Sequence, residues 1–433
     1  MIPLLLLLAL GGLMHAARSF TEGAGAAGVE LAFGFLLLAA YFNSKVLHRL
    51  GLPHLTAYLL AGIIAGPHVL ALVDHDMTVN LQIVSDVAVC MIALTAGASL
   101  DFVQIRPMLG TLVALVFMSV ILAAAAIGGA VFLARPFLPW LADMPFLDAV
   151  AVSMMLGVTL AAKSPAVVMA LVSETRADGP ITRLVIATVV VADLAVIVCY
   201  AIVSSLTSAE LGGGAGVGSV AASVSWSVLG SMIFGALIGA VIGAFLRHVK
   251  KGAPLFVVMV CVVVAEIGAR IHLDPMIVML AGGVWLGNLA RAESAQLLRG
   301  FESAQLPVFL VFFALAGSHI DLGTLYASLA PIVILVVTRA ASFFVGFRIA
   351  TKTTGLAPTV RRLAWLGLIP QAGLALALAL IIQQSFAFGP QAAALLLGVV
   401  ATNELLGPVL LRAVIVRTGE AGKRSSSDFA SGH

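Results

Sequence analysis

Apolar runs recur fourteen times along the chain, at residues 1–16, 26–43, 51–66, 81–100, 109–134, 147–172, 182–205, 225–246, 254–269, 275–290, 304–320, 327–349, 362–383 and 389–413. Most reach the ~17 to 25 residues that a membrane-spanning helix needs. In a bilayer every backbone N–H and C=O must find its partner within the protein, so only helices and closed barrels cross it. A barrel would show strands of about ten residues with alternating polarity. These runs are long, rich in Ala, Leu and Gly, and joined by short polar loops, so the chain reads as an all-α integral membrane protein. Composition agrees: 61% hydrophobic and 10% charged residues, with a mean hydropathy of +1.15, exclude the soluble domains that 433 residues would otherwise suggest.

The first run, MIPLLLLLALGGLMHAARSF, reads equally as a signal peptide cut after Ala16 or Ala17 or as an extra helix, and it lacks a basic n-region. Residues 1–25 are therefore set apart, 26–415 form a membrane domain with 13 core helices, and 416–433 form a short polar tail expected to be disordered. Of the 23 Lys and Arg residues, 18 fall on one face of this arrangement, 3 on the other and 2 inside spans. The crowded face is cytoplasmic, and the C-terminus lies on it. The net charge of +3 reflects this topology and implies no nucleic-acid partner. Cys90, Cys199 and Cys261 lie inside spans as small packing residues, forming neither a disulfide framework nor a metal site. No motif asks for a cofactor or for enzymatic chemistry.

YLLAGIIAG (58–66) returns loosely as VMLAGGVWLG (278–287), and AGASLDF (96–102) returns as AGSHIDL (316–322). Leu60 to Leu280 and Ala96 to Ala316 are both 220 residues apart, so the two matches share one register. The paired spans are seven crossings apart, an odd number, so the repeats, about 50–205 and 270–413, run in opposite directions through the membrane. Inverted repeats mark many secondary transporters, whose site lies near the midplane where paired helices are broken. The expected breaks are TLAAKSPAVV (159–168), with Lys163, Ser164 and Pro165, and GLIPQAGLAL (367–376), with Pro370, Gln371 and Gly373. A proline removes one helical hydrogen bond and clashes with the previous turn, which is tolerated at membrane depth where the freed carbonyls face a cavity or other protein. A simple proline kink in each span is the alternative.

Few ionisable groups lie away from the water interface: Lys163, Asp193, Arg339 and Glu404. Asp86, Asp101, Glu266 and Asp321 sit nearer span ends, and Glu266 has Arg270 at i+4 as a partner. Two bases and two acids can balance, so an ion pair of Arg339 with Glu404 is one account of the buried guanidinium. Asp193 is the acid most centrally placed beside a broken helix, and intramembrane acids mark ion or proton pathways. A carboxylate there can hold a proton or a hard monovalent cation. A single site that alternates between the two and faces either side in turn couples the two fluxes.

These residues carry a resemblance. LGLPHLTAYLLAGIIAGP (50–67), KSPAVV (163–168), Asp193 and GLIPQAGLALALAL (367–380) are together similar to the cation/proton antiporter superfamily, the Na⁺/H⁺ exchangers and their bacterial relatives. The likeness covers nearly everything from the second span onward. It implies two discontinuous crossing helices, a homodimer in the plasma membrane (the inner membrane of a bacterium), a mobile core with elevator-like alternation, and Asp193 as the ligand of Na⁺ or K⁺. Ser164 and Thr159 complete the candidate ion-binding set, and Arg339, Lys163 and Glu404 balance its charge. Arg339 stands where the family carries a basic residue, lysine in electrogenic members and often arginine in electroneutral ones. Two departures stand out: Ala192 precedes Asp193 where the family usually has Asp or Asn, and Lys163 sits beside the Ser-Pro pair. The expected activity is proton exchange for Na⁺ or K⁺, electroneutral. A proton-sensing or scaffold protein without cation transport and a symporter of organic anions on a related fold are the competing readings.

Overall fold

The computed structural model describes residues 2–21, 26–98, 100, 102–106, 109–210, 226–249, 253–271, 273–294, 297, 305–320, 323, 328–352 and 354–423. Asp101 and Asp321, parts of the AGASLDF and AGSHIDL motifs, and the tail from residue 424 lie outside them. Among the described residues the regular structure is helical throughout. Apart from short turns of helix at His75–Asn80, Phe102–Ile105 and Pro139–Ala142, the helices in chain order are α1 (Ile2–Thr21), α2 (Ala26–Leu47), α3 (His54–Ala65), α4 (Gln82–Ala98), α5 (Leu109–Leu133), α6 (Phe146–Ala161), α7 (Pro165–Thr175) and α8 (Pro180–Glu210). They continue as α9 (Ser231–His248), α10 (Ala253–Arg270), α11 (Pro275–Leu289), α12 (Gln305–Ser318), α13 (Leu329–Ala350), α14 (Pro358–Leu363), α15 (Gly373–Ser385) and α16 (Gly389–Arg417). By length and composition, eight described helical segments suffice to cross a membrane, and shorter apolar helices accompany them. Their outer faces carry exposed large side chains such as Leu237, Val241, Val333 and Val337, as a multi-pass membrane protein requires.

Lipid is as apolar as leucine, so helices in a bilayer associate through close packing at small residues. Two of the crossings that depend on it join the halves of the chain. At α3 with α12, a Cβ on Gly62 would fall on the Ala314 carbonyl and one on Gly317 on the Leu59 carbonyl. At α4 with α11, a Cβ on Gly97 would meet the Leu280 carbonyl and one on Gly283 the Leu94 carbonyl. The neighbouring atoms are backbone and cannot swing aside. Gly62→Val or Gly283→Val is therefore expected to cost about 1–3 kcal/mol or more by overpacking, read as a lower melting temperature in detergent. Gly129→Ala, with nothing within 4 Å of the added carbon, serves as the unaffected control.

Two interruptions position the site. α6 stops at Ala161, the chain runs extended through Ala162, Lys163 and Ser164, and α7 restarts at Pro165 with the Ser164 hydroxyl accepting the Val167 N–H at 3.1 Å. Proline at the first helical position costs nothing there, because that N–H would have had no partner, and serine is a favoured N-cap. In the second interruption, α14 tightens into a 3₁₀ turn over Ala364–Leu368, and Ile369 to Ala372 lie outside any helix before α15 begins. The two breaks touch, since the Ser164 N–H donates to the Pro370 carbonyl at 2.9 Å.

Candidate functional site

A broken helix leaves carbonyls with no amide to receive, and Arg339 answers them. From α13 its Nε donates to Leu160 O, Nη2 to Ala162 O and Nη1 to Ile369 O, each at 2.7 Å. One rigid guanidinium fork thus bridges both breaks, and it is fully buried. This corrects the expected ion pair with Glu404. Among the described residues the ion pairs are Arg183–Asp178, Arg247–Glu293 and the expected Arg270–Glu266, none of which involves Arg339. Carbonyl dipoles freed by the two breaks stabilise the charge in place of a carboxylate.

Lys163 uses the same chemistry. Its Nζ donates to Ala161 O at 2.9 Å and to Ser119 O at 3.0 Å. Ser119 lies where α5 loosens into a π turn over Met118–Leu122, a bulge type that often accompanies functional sites. Both cations approach the ring of Phe343, Lys163 Nζ at 4.8 Å and Arg339 Cζ at 4.6 Å from its centroid, a cation–π contact for each. Lys163 meets Asp193 through its backbone, whose N–H lies 3.4 Å from Asp193 Oδ1. Asp193 Oδ2 is buried and has no hydrogen-bond partner.

A cavity of about 20 Å³ opens onto Asp193, room for roughly one water by volume. Its walls are Val89, Ile92 and Ala93 from α4, Pro165 and Ala166 from α7, Leu194 and Ile197 from α8, and Met276, Ile277 and Leu280 from α11. Asp193 is the one ionisable side chain among them. It therefore faces a seam between the α4–α11 pair and the elements carrying the first break.

The other expected residues sit around the breaks with their polar atoms mostly engaged. The Thr159 hydroxyl donates to Met155 O at 2.9 Å, within its own helix, and Ser164 Oγ caps α7. Gln371 Nε2 donates to Leu160 O at 3.3 Å, and Gln371 Oε1 accepts from Asn403 at 3.0 Å. Pro370 packs where a Cβ on Gly407 of α16 would collide with it, while Gly373 opens α15 with free space around it. Glu404 is buried on α16 with Oε1 lacking a partner. Sequence reasoning missed Ser119, Phe343 and Asn403. Phe343 was within its reach, four residues after Arg339 and so on the same helical face. Ser119 was not, because nothing local marks the π turn.

Among the described residues no three His, Cys, Asp or Glu side chains gather as metal ligands. The transmembrane sodium/hydrogen exchanger family model matches residues 33–417. The chain is 26% identical over 309 residues to "Iron transporter MagA" of Paramagnetospirillum magneticum, covering 71% of this chain and 67% of that protein. Its fold is similar to that of the sodium proton antiporter MjNhaP1 from Methanocaldococcus jannaschii. The structure of that protein at pH 8 gives a TM-score of 0.67 at 16% identity, covering 90% of this chain and 98% of the other. An electron-microscopy structure of it gives 0.70 at 15% identity, covering 89% and 96%.

Proposed function

The chain belongs to the sodium/hydrogen exchanger family, and we propose that it exchanges protons for Na⁺ or K⁺ through Asp193 by alternating access. The observation that carries this is the buried Asp193 carboxylate with one oxygen unpartnered, opening onto a cavity whose remaining lining is apolar. A lone carboxylate there holds a proton or a cation, and each displaces the other. Ser164 and the carbonyls of the break, with Thr159 in the helix before it, are the oxygens proposed to complete the set. The iron in the relative's name does not carry over: one carboxylate in an otherwise apolar seam offers too few donors for iron, whose sites gather several carboxylate, imidazole or thiolate ligands.

The membrane domain is read as two inverted repeats, about 50–205 and 270–413, within 13 core helices, with α1, as signal peptide or extra helix, packed against α2. The glycine crossings support the repeats. Gly62 meets the Ala314 carbonyl and Gly283 the Leu94 carbonyl, and Gly317 meets Leu59 as Gly97 meets Leu280, so each half contributes the same contact in exchanged roles, at an offset of 220 residues between α4 and α12 and of 221 between α3 and α11, one residue off the Leu60–Leu280 match. A homodimer in the bacterial inner membrane with a cytoplasmic C-terminus completes the proposal. Proton release from the purified protein on adding Na⁺ or K⁺, measured against choline, tests the exchange. No release would favour the sensor or scaffold reading, and Na⁺-driven anion uptake the symporter.

Ser164→Ala is expected to raise the half-saturating cation concentration more than it lowers the maximal rate, and to lose about 1 kcal/mol of stability with the cap. An unchanged half-saturation would remove Ser164 from the ligand set.

One carboxylate carrying either one proton or one monovalent cation moves equal charge each way, and Ala192 supplies no second acid. Arg339 keeps its proton throughout and acts as a fixed counter-charge. Exchange is therefore electroneutral. A clamped potential acts on a moved charge at ~2.3 kcal/mol per 100 mV, so the Na⁺ gradient that halts proton flux should be the same at 0 and at about −100 mV. A shift abolished by Lys163→Ala would instead make Lys163 a second proton carrier.

A further inference from the structure

α8, the helix bearing Asp193, starts at Pro180, and the residue before it, Gly179, has no side chain with which to cap it. Its cap comes from the other end of the chain. Glu420 Oε1 accepts the Ile181 N–H at 2.9 Å, and Oε2 accepts the Thr182 N–H at 2.8 Å and the Thr182 hydroxyl at 2.7 Å. Carboxylates favour this position, since helix N-termini present unpaired N–H groups and the positive end of the dipole. Backbone bonds flank the contact: Asp178 N–H donates to Glu420 O at 3.0 Å and Gly422 N–H to Thr175 O at 2.9 Å. Gly419 and Gly422 take left-handed φ of 67° and 72°, which turns the chain back beneath the helices after α16. Glu420 is only 4% exposed. A Cβ on Gly179 would overlap its carboxylate, so the absent side chain at residue 179 is what lets Glu420 in.

An ordinary N-cap belongs to its own helix. This one joins the end of α7, the start of α8 and the end of α16 at the cytoplasmic face. α7 begins at the Ser164–Pro165 break, α8 carries Asp193, and α16 carries Asn403 and Glu404. Thr182 lies eleven residues before Asp193, about 16 Å along a stiff helix, so anchoring one fixes the height of the other. We propose that Thr418–Lys423 is a latch and Glu420 a positioning residue, holding the cytoplasmic ends of the three helices as one body and so setting Asp193 against the break at Ser164. Its effect on transport rests on the exchange proposed above; its effect on α8 does not.

The test uses the full-length protein with Glu420→Ala, Glu420→Gln and Gly179→Ala, the last of which displaces the carboxylate without removing it. Amide hydrogen exchange at Ile181 and Thr182 should quicken about tenfold in Glu420→Ala and Gly179→Ala, the size of a lost cap, and less in Glu420→Gln, which keeps one acceptor oxygen. In proteoliposomes the half-saturating Na⁺ or K⁺ concentration should rise about three- to tenfold while the maximal rate holds, as expected when a ligand loses its fixed position. Unchanged protection at Ile181 and Thr182 in Glu420→Ala would overturn the latch. Faster amide exchange with an unaltered half-saturation would overturn the positioning role. Should the unaltered protein show no cation-driven proton movement, the exchange reading falls, while amide protection still decides the latch.

Discussion

Asp193→Asn is expected to reduce cation-driven proton movement in proteoliposomes to the level of empty liposomes for Li⁺, Na⁺ and K⁺ alike. Asparagine keeps the volume, and its Oδ1 can still accept from the Lys163 N–H that lies 3.4 Å from the carboxylate. It has no acidic proton to exchange and no charge to hold a cation. The variant should therefore elute and melt as the unaltered protein does while transporting nothing. Retained exchange would sink Asp193 as the carrier. Loss of exchange together with loss of the fold would mean only that the substitution had damaged the protein, so both measurements are needed on the same preparation.

Arg339→Ala should produce the largest loss of stability of any single substitution at the site. It strips the guanidinium donors from Leu160 O, Ala162 O and Ile369 O at once, leaving Leu160 O with the longer bond from Gln371 and the other two without that partner. Each buried acceptor left unmet costs about 1–3 kcal/mol, so a net loss of about 3 kcal/mol or more is expected, with poor recovery from detergent. Arg339→Lys should lie between, because one compact ammonium cannot span two breaks as a planar fork does. A melting temperature for Arg339→Ala equal to that of the parent would show that the breaks hold without the clamp. Lys163→Ala gives the comparison, since its ammonium serves carbonyls of α5 and α6 and none of the second break.

The sequence by itself determined that the chain is helical and built for a membrane, because run length and hydropathy are local quantities that a bilayer reads directly. It also located both interruptions, since Lys-Ser-Pro and Pro-Gln-Ala-Gly break a helical pattern wherever they occur. Asp193, Arg339, Lys163 and Glu404 stood out for the same reason: charge within an apolar run needs explanation in any fold. The partners of those charges were decided by tertiary structure alone. Counting acids against bases suggested that Arg339 pairs with Glu404, whereas its guanidinium binds three carbonyls, groups that every residue possesses and that no composition can single out. The Ser119 carbonyl is available to Lys163 through a π turn in a helix distant in sequence. The cap of α8 lies 238 residues beyond Thr182, and neither Gly179 nor Glu420 shows any local sign of the other. Hydropathy and helix-breaking are properties of a segment, whereas hydrogen-bond satisfaction belongs to the packed molecule, where a buried polar group takes whichever partner the fold brings within reach.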